Sequence, residues 1–278
     1  MNIRLAHSPD ADDAFMFYAL AANKIDAGPY RFEHVLADIQ TLNDCAARGK
    51  YELTALSVHA YAYVRDAYAL TRCGGSFGDG YGPILVAREP MSAEQLADTT
   101  VAVPGPTTSA ALALKLFCPT VRTRVMPFDT ILEAVRTGEA SCGLIIHEGQ
   151  VTYARQGLCL VANLGVWWRG RTGLPLPLGV NTVRRDLPTA DRARLADILR
   201  QSIQYGLSHR EEALSYAMRY ARDVDAAAAD RFVGMYVNDT TLDMGDRGRR
   251  AIEEFLRQGH QAGDIPDALP VEFCVNVW

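Results

Sequence analysis

Short apolar runs, polar loops and helix-spaced stretches follow one another along this chain in an order that occurs twice. Ile3–Ala6 is apolar and reads as a strand. The loop His7-Ser8-Pro9-Asp10-Ala11-Asp12-Asp13 follows, and Ala14–Ala22 has the spacing of an apolar helix with an aspartate before it as N-cap. A strand near Arg31–Leu36, a helix over Ile39–Arg48 stopped by Gly49, and the apolar run Leu53–Leu56 complete the first set, which ends at Ser57. The second set starts with a strand over Thr100–Val103, the loop Pro104–Ser109 and a helix over Ala110–Phe117. A strand over Arg124–Pro127, a helix over Thr130–Arg136 stopped at Gly138, and the strand Cys142–Ile146 lead to His147. The segments Thr41–His59 and Thr130–Glu148 share this helix–glycine–strand rhythm without close identity.

Two β-α-β-α-β halves build two sheets flanked by helices, so the pattern predicts an α/β fold of two lobes with a cleft between them. The extended stretches Tyr81–Glu89 and Gly173–Pro188 carry prolines that argue against helix and read as crossings between lobes. The expected division is 1–88 with 176–278 as lobe 1 and 89–175 as lobe 2. Beyond Leu187 helical spacing prevails, over Asp191–Gly206, Arg210–Arg222 and Gly245–Gly259, and the tail Val271–Trp278 reads as extended.

Composition narrows the function classes. With 278 residues, 49% hydrophobic and a net charge of -5, the chain can bury a sizeable core and lacks the clustered basic surface of a nucleic-acid binder. Its start shows no basic, apolar and small-residue order of a secretory signal, and no run approaches roughly 18 uncharged apolar residues. The expectation is a cytoplasmic protein with no membrane span. Six cysteines are scattered without CxxC or Cys/His ligand spacing, so no metal site is expected. Cys45, Cys118 and Cys142 sit among apolar neighbours and read as core.

In sheets of this kind ligands bind beyond the carboxyl ends of the strands. Four loops fall there: Ser8–Asp13, Ser57–His59, Thr107–Ser109 and His147–Gln150. His147 can take up a proton near neutral pH or serve as a structural histidine. Glu148 beside it could orient the ring, although neighbours on a strand point oppositely. Thr107, Thr108 and Ser109 open a helix and offer either an anion site or simple N-capping. Ser57 either bonds a ligand or caps a turn. Asp10, Asp12 and Asp13 either meet sugar hydroxyls or a cation, or cap and charge the helix start. His7 and His59 border the same loops, whereas His34, His209 and His260 read as surface or packing residues. Dinucleotide, Walker, HExxH and nucleophile-elbow motifs are missing from the sequence.

The segments Ala6–Leu20 (AHSPDADDAFMFYAL), Leu53–Val64 (LTALSVHAYAYV) and Gly143–Tyr153 (GLIIHEGQVTY) resemble the 1,4-dihydroxy-6-naphthoate synthases, with support from Pro175–Pro188. The likeness runs in the same order over essentially the whole chain. It implies the two-lobed fold of type II periplasmic binding proteins, used here for catalysis. It also implies a carbon–carbon lyase of the futalosine route to menaquinone that acts on cyclic dehypoxanthine futalosine, a small-molecule carboxylate, without cofactor or metal. The family's base falls on His147. Its substrate contacts fall on Ala55, Leu56 and Ser57 and on Thr107 and Thr108, with Ser109, Ser8, Asp10 and Asp12 adjoining. Many members carry Ser-Pro-Cys-Pro-Asn-Asp where this chain has Ser8-Pro9-Asp10-Ala11-Asp12-Asp13. The alternatives are a non-catalytic small-anion binding protein of the same fold and a sister enzyme resembling chorismate dehydratases.

Overall fold

A computed structural model describes residues 1–221 and 225–274. Arg222, where the second of the late helices was expected to end, and the end of the tail at 275–278 lie outside the described residues. The strands are β1 (Asn2–His7), β2 (Arg31–Leu36), β3 (Leu53–Ser57), β4 (Tyr68–Leu70), β5 (Ser76–Gly78) and β6 (Ile84–Ala87). They continue as β7 (Thr100–Val103), β8 (Arg122–Val125), β9 (Cys142–Ile145), β10 (Cys159–Asn163) and β11 (Leu176–Arg184).

Two sheets form. The first has the order β2-β1-β3-β11-β4, with β5 also on β11, and the second has β10-β6-β9-β7-β8. In the first, β1 runs parallel to β2 and β3, while β11 is antiparallel to β3 and β4. In the second, β7 runs parallel to β8 and β9, while β6 is antiparallel to β9 and β10. Read from β8, the second sheet repeats the first strand for strand, so the twofold pattern of the sequence is a twofold pattern of pairing.

Each sheet takes its antiparallel strand from a connecting stretch. β6 lies in the second sheet, so sheet membership changes between Gly78 and Ile84, and β11 brings the chain back to the first. Both strands carry apolar residues on either face because helices cover them, and burial excludes water from both sides.

The cores explain the covering helices. One cluster packs Phe15, Phe17 and Leu5 against Ile198, Leu199 and Val233, which joins Ala11–Ala21 to the late helices Thr189–Ser208 and Ala226–Tyr236. Another packs Leu56 and Tyr61 of the first half against Leu112, Leu114, Trp168 and Phe255, and so ties the two sheets together. Helix Gly245–Gln261 contributes Ile252, Phe255 and Leu256 from its apolar stripe.

Several boundaries differ from the sequence reading. The first helix starts at Ala11, so Asp12 and Asp13 stand in its first turn and not in the loop before it. Asp10 is the N-cap by position, but its side chain makes no cap bond. Helices Leu164–Thr172 and Ala226–Tyr236 were not foreseen, because tertiary burial and not a strong periodic stripe fixes them. Among the expected core cysteines, Cys45 and Cys142 are buried and Cys118 is half-buried.

Candidate active site

The ends of β1, β3, β7 and β9 meet around a cavity of about 120 Å³. The first half supplies Ser8, Asp10, Asp12, Asp13, Ala55 and Ser57, and the second supplies Thr108, Ser109, Ile146 and Gln150. β11 adds Leu178–Asn181, the β4–β5 region adds Gly74 and Ser76, and Tyr236 closes one side. A second cavity, of about 500 Å³, is lined by Asp38, Gln40, Pro104, Val125, Met126, Pro127, Phe128 and Asp129.

The acidic side of the first cavity is built by the start of helix Ala11–Ala21. Asp13 accepts a hydrogen bond from the Ser8 N–H at 2.7 Å, and Ser8 Oγ donates to Asp10 at 2.5 Å. Burial, followed by repulsion from Asp13, Asp10 and Glu148, holds the Asp12 carboxyl well above the ordinary carboxylate range. Burial pushes Asp13 up to about 7 against the opposing pull of the Ser8 N–H. The described residues that line this cavity include no lysine, arginine or histidine. Gln150 accepts from the Tyr236 hydroxyl at 2.8 Å, and burial raises the pKa of that phenol.

The opposite side carries hydroxyls at a helix start, held by bonds within the protein. Thr108 caps helix Ser109–Phe117 by accepting from the Ala111 N–H at 3.2 Å. Ser109 Oγ donates to the Leu178 carbonyl of β11 at 2.5 Å and accepts from the His59 N–H at 3.2 Å. The buried Asn43 amide accepts from the Ser57 N–H at 3.0 Å and donates to Ser57 Oγ at 3.1 Å and to the Thr107 carbonyl at 3.2 Å. The loop of the second half is therefore held by helices and strands of the first.

Of the residues singled out from sequence, Ser8, Asp10, Asp12, Ala55, Ser57, Thr108 and Ser109 line the first cavity together. Thr107 stands beside it, bonded to Asn43 and Gln40. Leu56 turns its side chain into the core, so only its backbone could serve a site. His7 is buried, stacked on Phe17 and 3.1 Å from His34, and burial lowers its pKa to about 3. His59 is buried with Nδ1 3.1 Å from the Thr108 carbonyl.

His147 does not line either cavity, although its neighbours do. Ile146 and Gln150 face the first, and Phe128, whose ring meets the imidazole edge to face at 5.8 Å, lines the second. Its Nδ1 accepts from the Gly149 N–H at 3.0 Å, so a neutral ring in this geometry carries its proton on Nε2. Glu148 does not point away as alternation along a strand would require. β9 ends at Ile145, His147 and Glu148 lie in a turn, and a buried Glu148 oxygen comes within 4.0 Å of His147 Nδ1.

Sequence reasoning passed over Gln40, Asn43, Asn181 and Tyr236. A polar pair at Gln40 and Asn43 on one face of a short helix was the available signal, since i and i+3 share a face. Tyr236 had none, because a late helix brings it in from far along the chain. No group of three or more His, Cys, Asp or Glu placed to hold a metal ion occurs among the described residues. No helix among them is long and apolar enough to cross a membrane.

Comparison with known proteins agrees with this architecture. A family model described as menaquinone biosynthesis matches residues 3–261. A 1,4-dihydroxy-6-naphthoate synthase of Thermus thermophilus is 42% identical over 261 residues, covering 94% of this chain and 95% of the relative. The enzyme of that name from Streptomyces coelicolor is 37% identical over 271 residues, covering 95% of each chain. Among solved structures, the alkanesulfonate-binding protein SsuA of Xanthomonas axonopodis superposes with a TM-score of 0.74 at 10% identity, over 97% of this chain and 96% of that one, a likeness of fold alone. A periplasmic-binding-protein architecture with matched strand-end loops, joined to a family match over nearly its whole length, makes this chain a member of the menaquinone-biosynthesis family of enzymes.

Proposed function

We propose that the chain is a carbon–carbon lyase that converts cyclic dehypoxanthine futalosine to 1,4-dihydroxy-6-naphthoate in the futalosine route, with His147 as general base. The observation that carries this reading is the arrangement beyond the strand ends. The hydroxyl-bearing start of a helix and carboxyls of raised pKa line one cavity, with His147 and Glu148 beside it. The relatives named for this product support the same assignment.

In this reading the Thr107–Ser109 loop holds the substrate carboxylate, because a helix start offers free N–H groups and favours negative charge. The sugar part lies toward Asp10 and Asp12. A carboxyl kept protonated can donate to a sugar oxygen and adds no charge to repel the substrate. His147 removes the proton that starts an elimination, and the carbon–carbon bond between ring system and sugar fragment then breaks. To act as base the ring must free a lone pair, either by giving up the Gly149 N–H at Nδ1 or by placing a proton on Nδ1 and using Nε2. Glu148, at 4.0 Å, is the nearby carboxylate that a small ring movement would bring into reach of a proton on Nδ1. Closure of the two lobes would exclude water and fix the base near its proton.

The test is direct. Purified protein incubated with cyclic dehypoxanthine futalosine is expected to release a naphthoate of the right mass, and His147→Ala protein to release almost none. Normal release by His147→Ala would remove the base assignment, and no release by the native protein would remove the reaction.

A further inference from the structure

The two cavities are neighbours along three chain segments. Ile39 lines the first and Gln40 the second; Thr108 lines the first and Pro104 the second; Ile146 lines the first, and Phe128, in ring contact with His147, lines the second. Gln40 lies at this boundary, lining the second cavity and bonded to the loop that borders the first. Gln40 Oε1 accepts from the Thr107 N–H at 3.1 Å and from Thr107 Oγ1 at 3.1 Å. Its Nε2 donates to Asp44 at 2.8 Å, one turn along the same helix, and this bond fixes which end of the amide faces Thr107. The side chain lies flat on the loop backbone. A Cβ on Gly105 would come within 2.2 Å of Gln40 Oε1 and 2.5 Å of its Cγ, so only hydrogen fits beneath it. These contacts join a helix of the first half to a loop of the second.

We propose that Gln40 is a specificity-determining residue whose amide oxygen occupies the Thr107 donors and gives them up to a carboxylate of the substrate, which joins the two cavities into one binding site. This rests on the reading of the Thr107–Ser109 loop as the carboxylate contact. Two acceptors compete for the same N–H and O–H. A carboxylate makes the stronger, charge-assisted bond and also gains from the adjacent helix start, whereas an amide carries no charge. A ligand without a carboxylate gains neither and leaves Gln40 in place. Thr107 keeps an acceptor throughout, which avoids the cost of a buried unpaired donor. The displaced amide moves toward the 500 Å³ cavity that it already lines, where solvent can satisfy it.

The experiment is calorimetric titration of the full chain with 1,4-dihydroxy-6-naphthoate and, in parallel, with 1,4-dihydroxynaphthalene, which lacks the carboxylate. Gln40→Ala removes the competitor and is expected to bind the naphthoate about 3–10-fold tighter, the equivalent of one lost hydrogen bond, with the naphthalene unchanged. Gly105→Ala, which evicts the side chain without altering it, should act in the same direction. Gln40→Glu, which sets a carboxylate in the cradle, should weaken naphthoate binding about tenfold at pH 8. Thermal melts of each variant confirm folding. Equal or weaker naphthoate binding by Gln40→Ala, or a change of the same size for both ligands, overturns the proposal. So does a native protein that binds the naphthoate no better than the naphthalene. A native protein that prefers the naphthoate yet fails to cleave cyclic dehypoxanthine futalosine loses the proposed reaction and leaves the role of Gln40 standing.

Discussion

The ends of β3 and β9 occupy the same place in the two halves of the molecule, yet they do different things. Both strands follow a helix and lie beside the first strand of their half. At the end of β3, Ser57 and His59 are tied down. Asn43 bonds Ser57 twice, and His59 faces the Thr108 carbonyl with one group and Ser109 with another. At the end of β9, His147 is bonded to the backbone of its own turn, touches Phe128 and has Glu148 close by. Fixed bonds across the halves make the first end a strut. The second end keeps an imidazole and a carboxylate together where a small ring movement changes which nitrogen carries the proton. Equivalent positions in a repeated fold thus carry different contacts.

The contrast can be broken by experiment. The largest effect is expected from His147→Ala, with kcat for naphthoate release down about 10²–10⁴-fold, the usual range for a lost acid–base group, and little change in melting temperature. His59→Ala should reverse the balance and lower stability more than kcat. A comparable loss of kcat in both variants would erase the distinction. Gly149→Ala comes next. A Cβ there would lie 2.8 Å from His147 Cε1 and push the ring aside, and kcat should fall by about 10² because misplacement on the order of 1 Å is that costly. An unchanged rate would show that ring position at β9 is loosely set.

Asn43→Ala tests the strut. It leaves the Ser57 N–H without its buried acceptor and should cost about 1–3 kcal/mol in urea unfolding, with a raised KM as the second loop loosens. The smallest effect concerns pH. The Asp13 pKa is raised on folding to about 7, so its contribution to stability is complete below the unfolded value near 4 and is lost as pH rises through 7. Asp13→Asn should therefore flatten the fall of melting temperature between pH 5 and pH 8. A steeper fall in the variant would show that the carboxyl is ionised in the native state.

The four loops beyond the strand ends, the repeat of β-α-β-α-β order and most of the cavity wall were legible in the chain itself. Alternation and helical spacing record which faces are buried, and a ligand site at the carboxyl ends follows from topology. The donors Thr108 and Ser109 and the acids Asp10 and Asp12 could be named from their place before or within the first turn of a helix. Tertiary structure alone decided the remainder. The start of the first helix at Ala11 places Asp12 and Asp13 side by side in the cavity wall, and their raised pKa values come from burial first, then from repulsion by Asp13, Asp10 and Glu148 on Asp12 and by Asp10 on Asp13, which local sequence does not encode. The turn after β9 sets Glu148 beside His147, against the strand rule, because that rule ends where pairing ends. Gln40, Asn43 and Tyr236 join the site from other elements, since hydrogen bonds between distant segments depend on how layers pack and leave no periodic mark on the chain.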